Sequence, residues 1–255
     1  MKKISLLTMA VAGMALSVSA AQAKTNLEDP TYMPENGMTY SKTALGFGAM
    51  YDKETDAVLT QEFGMGISDS MALRIYTGYS WGDDDINDYG MSDIGIGMTW
   101  RMMKDEAWTL DFKGDYVADT SDKLSLSDVA ASYDEMDDDR ISAAVELGHN
   151  YMDWTWAVEA GYNWFLDSSM DDANEAFYAA EAQWRFSENM SANVRYDYSD
   201  NSDAPVLEKD RWTFQLNNHL SNDMVAGVYY SYDDGANDLS GAEDQVVGLK
   251  FAAQW

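Results

Sequence analysis

The chain of 255 residues has no cysteine and only two histidines and three prolines. The absence of cysteine excludes disulfide bonds, thiolate metal sites and a lipid anchor attached through cysteine. Beyond residue 23 no long apolar run occurs, which excludes a helical membrane protein, since each helical span needs about 20 apolar residues. Basic residues are also scarce, 16 against 45 acidic ones, and the net charge of −29 argues against a nucleic-acid-binding protein.

The first 23 residues have the features of an export signal. Lys2 and Lys3 precede an apolar run from Ile4 to about Val18, and residues 21–23 read Ala-Gln-Ala, an A-x-A cleavage site. The apolar run is shorter than a spanning helix requires, which favours a secretory signal peptide over an N-terminal membrane anchor. We predict a signal peptide over residues 1–23.

Apolar and polar residues alternate in twelve segments of the remaining chain, most of them about ten residues long. This period of two predicts β-strands, and ~9–11 residues are what a tilted strand needs to cross a bilayer. The segments are residues 40–51, 58–68, 71–81, 91–102, 108–118, 140–150, 154–166, 176–186, 190–199, 211–220, 224–232 and 245–255.

The connections between these segments fall into two classes. Those after even-numbered segments are short, whereas those after odd-numbered segments are mostly long and together hold 28 acidic residues against three lysines. The longest covers residues 119–139, and residues 52–56 are a short exception. Aromatic residues gather near both ends of the segments. Short turns on one side, long loops on the other and two aromatic belts are typical of membrane β-barrels. A soluble β-sandwich also alternates, but it has no reason to sort loops or aromatics in this way.

The final segment, QVVGLKFAAQW, alternates an apolar with a small or polar face and ends on Trp255. It resembles the C-terminal assembly signal of Gram-negative outer-membrane β-barrels. The resemblance implies an all-β fold, a transmembrane antiparallel up-and-down barrel of about twelve strands over residues 39–255, with a periplasmic leader over residues 24–38. It also implies a place in the cell outer membrane, in contact with outer-membrane lipid and lipopolysaccharide, and insertion by the barrel assembly machinery.

Several groups of twelve-stranded barrels resemble this chain in architecture. They are channels for acidic oligosaccharides, nucleoside channels, outer-membrane phospholipases and autotransporter translocators, and no motif of one group is present. The acidic-sugar channels line their pores with basic tracks. Here the inward-facing positions hold nine bases and eight acids, so the predicted lumen is nearly neutral.

Charged residues at inward positions are the candidate pore residues, because an intramembrane charge points to function. The prediction comprises Glu62, Arg74, Lys113, Glu146, Glu159, Glu181, Arg195 and Lys250. Opposite charges facing each other across a narrow barrel form either a selective constriction or a salt-bridged filling, and residues 24–38 could enter the lumen as a plug. The inward-facing glycines have two interpretations as well, relief of crowding or space for solute.

We predict a porin-like channel for passive diffusion of small hydrophilic solutes or ions, whose acidic extracellular loops favour cations. The alternative is a non-conducting structural or adhesive barrel that acts through these loops. Catalysis is not expected, because His149 should face outward and His219 inward, both near the periplasmic ends of their strands, and no Ser–His–acid grouping lies at the outer side. No cofactor is expected. Weak Ca²⁺ or Mg²⁺ binding by the acidic runs is the minority interpretation.

Overall fold

The computed structural model describes residues 26–49, 55–81, 90–91, 93–118, 139–166, 174–199, 209–233 and 245–255. The predicted signal peptide and most of the six acidic loops lie outside these residues. The twelve barrel strands are β1 (Thr39–Ala49), β2 (Thr55–Ser68), β3 (Met71–Trp81), β4 (Ile94–Lys104), β5 (Trp108–Ala118), β6 (Arg140–Tyr151), β7 (Trp154–Phe165), β8 (Glu175–Ser187), β9 (Met190–Ser199), β10 (Lys209–Ser221), β11 (Met224–Asp233) and β12 (Gln245–Gln254). A two-residue stretch, Gly90–Met91, precedes β4 and pairs with the same neighbour, β3.

Each strand pairs antiparallel with the strands before and after it, and the first pairs with the last. β1 and β12 are in register from Tyr40 opposite Gln254 to Ala49 opposite Gln245. The sheet is therefore closed and has no free edge, which is what a bilayer demands of a β-structure. The predicted all-β class and the twelve antiparallel strands are confirmed. Among the described residues, the structure contains no helix of the length and apolarity that a membrane crossing requires.

The strand ends differ slightly from the predicted ones. β2 begins at Thr55, β8 at Glu175 and β10 at Lys209, before the predicted segments at 58, 176 and 211. The physical reason is that the hydrogen-bonded ladder continues past the apolar band. Polarity of a residue reports its contact with water, whereas strand membership depends on backbone pairing.

The barrel is apolar outside and polar inside. Phe63, Ile75, Ile96, Phe214 and Val247 point outward and are between 47% and 58% exposed. Most of the buried side chains are polar or charged and lie at the opposite parity, including Arg101, Asp111, Glu146, Gln183, Asn193, Gln215 and Asn217. This inverted distribution is what lipid on one side and water on the other select, and it confirms the predicted assignment of the two faces.

Outward-facing aromatic rings cluster at two levels. At the end of the barrel that carries the short turns, called the short-turn end below, Trp154 stacks on Trp184 at 5.6 Å. At the opposite, long-loop end, the rings of Tyr196 and Trp212 are 4.7 Å apart. Amphipathic rings prefer the two lipid–water boundaries, and the predicted two belts are present.

Several of the inward-facing glycines give room to tyrosine rings. A Cβ atom on Gly64 would lie 2.3 Å from the ring of Tyr40, and one on Gly95 would lie 2.1 Å from the ring of Tyr76. The ring of Tyr229 fills the corresponding place beside Gly248. Between the two interpretations of these glycines, the structure therefore supports relief of crowding, because the space is already occupied.

We expect Gly64→Ala to destabilise the barrel by about 1–3 kcal/mol, the usual cost of overpacking, because the Tyr40 ring must leave its place. Gly114→Ala is the matched control, since the nearest heavy atom to a Cβ there is 3.9 Å away. Guanidinium unfolding in detergent micelles measures both variants. Equal stability of the two would show that the Tyr40 ring relocates without cost.

Candidate functional site

Residues 26–38, called the inner segment below, lie inside the barrel at its short-turn end. Leu27 is fully buried and packs with Val225 and Ala252 of the wall. The segment makes tight turns at its beginning, where the Asp29 N–H donates to the carbonyl of Asn26 and the Tyr32 N–H to that of Asp29, both at 2.9 Å. These turns hold the segment compact enough to fit the lumen.

Wall side chains from several strands fix the inner segment. Arg101 of β4 donates from Nη2 to the Thr31 carbonyl at 2.7 Å. The hydroxyl of Thr155 on β7 donates to Oδ2 of Asp29 at 3.0 Å. The Tyr32 hydroxyl in turn donates to Oε1 of Gln254 on β12 at 2.9 Å. The segment is thus bound to the wall on more than one side.

The end of the inner segment joins the wall through its backbone. The Gly37 N–H donates to the Gly66 carbonyl at 2.8 Å, and the Gly66 N–H donates to the Met38 carbonyl at 2.9 Å. A Cβ atom on Gly66 would lie 2.0 Å from the Glu35 carbonyl oxygen, so only glycine permits this approach. Gly37 itself has φ of +81°, which glycine adopts without strain. The leader was expected either in the periplasm or in the lumen as a plug. The contacts of the inner segment place it in the lumen.

Glu28 is the most deeply enclosed charge of the inner segment. Its Oε2 accepts a hydrogen bond from Gln215 Nε2 at 2.8 Å and lies 3.6 Å from Lys250 Nζ, while Oε1 lies 3.9 Å from Lys42 Nζ. Burial alone would raise the pKa of this carboxyl, but the two lysines and the amide outweigh burial and lower it. Glu28 is therefore charged in the neutral range.

Because the folded-state pKa of Glu28 is below its ordinary value of 4.5, its ionisation stabilises the docked segment above that pH. The contribution falls as the pH drops through the lowered pKa. We expect the stability difference between the native chain and Glu28→Gln to be constant at neutral pH and to shrink below about pH 4.5. Unfolding measured in micelles from pH 7 to pH 3 checks this, and a difference that grows on acidification would contradict it.

Two ion-pair groups lie along the wall of the lumen and connect strands β4 to β7. Arg101 makes a bidentate pair with Asp111, at 2.8 Å from Nε and 2.7 Å from Nη2, and both side chains are buried. Lys113 Nζ lies between two carboxylates, 2.6 Å from Glu146 and 2.7 Å from Glu159. Glu146 and Glu159 are directly opposite each other on β6 and β7, and the lysine offsets the repulsion between them.

Two further groups lie nearer the long-loop end. Arg74 pairs with Asp115, at 2.7 Å and 2.8 Å from Nη2. Arg195 bridges Asp197 at 2.6 Å and Glu181 at 3.3 Å. Direct contacts thus hold several charges of the wall in fixed positions.

The eight predicted pore residues all contact another lumen side chain. Besides the pairs above, Glu62 accepts a hydrogen bond from the Tyr40 hydroxyl at 2.8 Å, and Lys250 donates to Gln215 at 2.8 Å. Seven of the eight line one cavity of about 300 Å³, and Glu159 lines a second of about 220 Å³ that shares Arg74 and Arg195 with the first. A third cavity, of about 450 Å³, shares Lys42 and Lys250 with the first. Ion pairs and open space therefore coexist in the lumen.

Three important lumen residues were not among the predicted ones. Glu28 belongs to the segment before β1, and Glu175 follows a loop in the sequence, yet both are buried inside the barrel. Tyr40 lies at the predicted start of a strand, but the sequence did not indicate that its hydroxyl donates to Glu62 inside the barrel. In the sequence, Leu27 and Tyr32 could have indicated docking, since apolar side chains in a polar leader are stabilised by burial.

The histidines lie on the predicted faces. His149 stacks outward on Trp108 at 4.2 Å. His219 is buried inside and lies 3.1 Å from the hydroxyl of Ser191, whose exposure is zero. A nucleophile covered in this way cannot meet a substrate, so the Ser191–His219 pair is not a candidate active site. Within the described residues, no group of three or more acidic or histidine side chains is arranged to hold a metal ion.

Comparison with known proteins supports the fold. No protein-family model matches the chain, and the search of curated proteins gives no match. The outer-membrane channel COG4313 from Pseudomonas putida F1 has a TM-score of 0.62 and 10% identity, over 94% of this chain and 100% of that one. The porin NanC has a TM-score of 0.60 and 10% identity, over 84% of this chain and 98% of that one. The porin KdgM has a TM-score of 0.57 and 6% identity, over 84% of this chain and 98% of that one. An Escherichia coli outer-membrane phospholipase is also similar, with a TM-score of 0.51 and 9% identity, over 90% of this chain and 94% of that one. The chain thus shares its barrel fold with these outer-membrane proteins.

Proposed function

We propose that the protein is an outer-membrane channel for passive diffusion of small hydrophilic solutes or ions. The observation that carries the proposal is the lumen itself, where charged side chains line cavities that share lining residues, inside a barrel with an apolar exterior. Water and polar solutes are stable in such a space, and lipid is stable against its outer surface. The similar channel structures agree with this function, and residence in the outer membrane of a Gram-negative cell belongs to the same proposal.

The inner segment narrows the path at the short-turn end. It contributes Glu28, Asp29, Pro30, Tyr32, Met33 and Pro34 to the lining of the 300 Å³ cavity. A path reduced to cavities of this size selects by volume, and its fixed ion pairs select by charge. We propose small solutes rather than polymers as the cargo for this reason.

The acidic loops supply the proposed preference for cations. They lie at the long-loop end, which we assign to the outside of the cell, and mostly outside the described residues. Negative charge at a pore mouth raises the local cation concentration, and salt screens the effect over about 10 Å at 0.1 M. The same loops and the apolar exterior are the proposed contacts with lipopolysaccharide and lipid, and the barrel assembly machinery is the proposed inserting partner.

Planar-bilayer recording tests the channel. The folded protein should give stepwise conductance, and a KCl gradient should give a reversal potential that favours K⁺ and approaches zero as salt is raised. Replacement of the acids at 119–139 by amides should reduce the preference without loss of conductance. Silence of folded protein at all voltages would refute the channel.

The alternative is a non-conducting barrel that acts through its acidic loops. The inner segment and the paired charges favour it, because both occupy space inside the barrel. It predicts silence in the bilayer and Ca²⁺-dependent adhesion that is lost when residues 119–139 are removed. Adhesion that survives the deletion would refute that role for this loop.

A further inference from the structure

A carboxylate is held inside the barrel by groups of the wall. Lys42 belongs to β1, Gln215 to β10 and Lys250 to β12, and these three converge on the Glu28 side chain from the inner segment. Gln215 Nε2 is 2.8 Å from Oε2, and the two lysine Nζ atoms lie within 4 Å of the carboxylate, one at each oxygen. The wall thus presents two cations and one amide donor to a single planar anion.

The wall groups are oriented by contacts with one another. Lys250 Nζ donates to Oε1 of Gln215 at 2.8 Å, which turns the amide NH₂ of Gln215 toward the carboxylate. Lys250 also lies 5.9 Å from the ring centre of Tyr229, and Lys42 lies 6.0 Å from that of Tyr40. Aromatic faces and the amide oxygen hold the cations in place, so the arrangement does not depend on Glu28 alone.

The bound group has the chemistry of a small organic acid. Charged donors to a carboxylate make stronger hydrogen bonds than neutral ones. Glu62 on β2 lies directly opposite Lys42, so the two lysines face two carboxylates while Glu28 is in place and outnumber the remaining one once Glu28 is removed. The Glu28 backbone is held separately, since its carbonyl accepts from Gln183 at 2.8 Å and from Asn193 at 2.9 Å. Loss of the side-chain carboxylate therefore leaves a cationic recess of the same shape.

We infer that Lys42, Gln215 and Lys250 form a carboxylate-binding site, and that Glu28 occupies it as an internal ligand. A solute that carries a carboxylate competes with Glu28 for this site. An intramolecular ligand competes at an effective concentration of the order of mM or higher, so free carboxylates bind weakly to the native chain and more tightly once Glu28 is removed. The inference concerns binding at equilibrium and does not require the barrel to conduct.

The test is binding of ¹³C-labelled formate to the full mature chain in detergent micelles, followed by NMR line broadening. Glu28→Ala should bind formate roughly tenfold or more tightly than the native chain, because the internal competitor is gone. Glu35→Ala is the matched control, since it removes the same charge from an exposed position of the same segment. Heat-modifiable migration in gels verifies the folding of each variant.

A second set of variants assigns the binding to the proposed groups. In the Glu28→Ala background, Lys42→Met together with Lys250→Met should abolish formate binding. If the variant with both lysines replaced does not fold, Gln215→Leu in the Glu28→Ala background is tested in its place. Formate binding no tighter in Glu28→Ala than in Glu35→Ala, or unchanged after the wall groups are replaced, would overturn the inference. Neither result bears on conductance, so this failure is distinct from a failure of the channel proposal.

Discussion

Deletion of residues 26–35 should increase the conductance of the barrel several-fold in planar bilayers. The inner segment occupies the short-turn end of the lumen, and its removal replaces protein by water across that section. The conductance of a pore increases with its water-filled cross-section, so the narrowest section controls the current. The deletion keeps residues 36–38, because Gly37 and Met38 pair with Gly66 and continue into β1.

The matched control for the deletion is Glu35→Ala, which removes a charge at an exposed position and keeps the rest of the segment in the lumen. It should leave the conductance within a factor of about two, since Glu35 is exposed and an exposed charge is screened. Unchanged conductance in the deletion variant would show that the constriction lies elsewhere. A silent native chain with a conducting deletion variant would favour the non-conducting alternative for the native state.

Arg101→Met should lower the free energy of unfolding by about 3–5 kcal/mol, which is typical when one partner of a buried ion pair is removed. The substitution leaves Asp111, which is 2% exposed, as an unpaired buried charge. It also removes the donor to the Thr31 carbonyl. Guanidinium unfolding in micelles, followed by tryptophan fluorescence, measures the change.

Two variants separate the charge effect from the loss of the side chain. Arg101→Met combined with Asp111→Leu should recover most of the stability, because an apolar pair of similar volume carries no desolvation cost. Arg195→Met should cost less than Arg101→Met, since the Arg195 side chain is 36% exposed against 6% for Arg101. A small loss for Arg101→Met, similar to that for Arg195→Met, would mean that water reaches Asp111.

Alternation predicted the strands because it reflects the two solvents of a membrane barrel. Phe63, Ile75 and Ile96 must face lipid, and residues of opposite parity must face the lumen, so strand positions and faces follow from residue polarity. The strand ends were less well predicted at Thr55, Glu175 and Lys209 because backbone pairing continues beyond the apolar band. The number of strands and their connection to neighbours also followed from the sequence, since consecutive antiparallel strands joined by short turns pair locally.

The lumen was predicted only in part. Parity placed Lys113, Glu146 and Glu159 on the inside, but it gave no indication that one lysine would bridge both acids. The inward glycines were visible in the sequence, whereas the rings that fill their space were not. A ring such as Tyr40 occupies the space above Gly64 on the neighbouring strand, and this depends on the register between β1 and β2.

The sequence by itself determined the class of fold, the number of strands, the lipid-facing side of each strand and the charged character of the lumen. Those properties depend on contact with lipid or water, which each residue's own polarity reports. Only the tertiary structure decided the position of the inner segment and the partners of each lumen charge. Glu28 and Gln215 are 187 residues apart in the chain, and no local pattern connects them. Their contact exists because closure of the barrel brings β1, β10 and β12 around one space. A carboxylate buried there is stable only when cations and hydrogen-bond donors lie beside it.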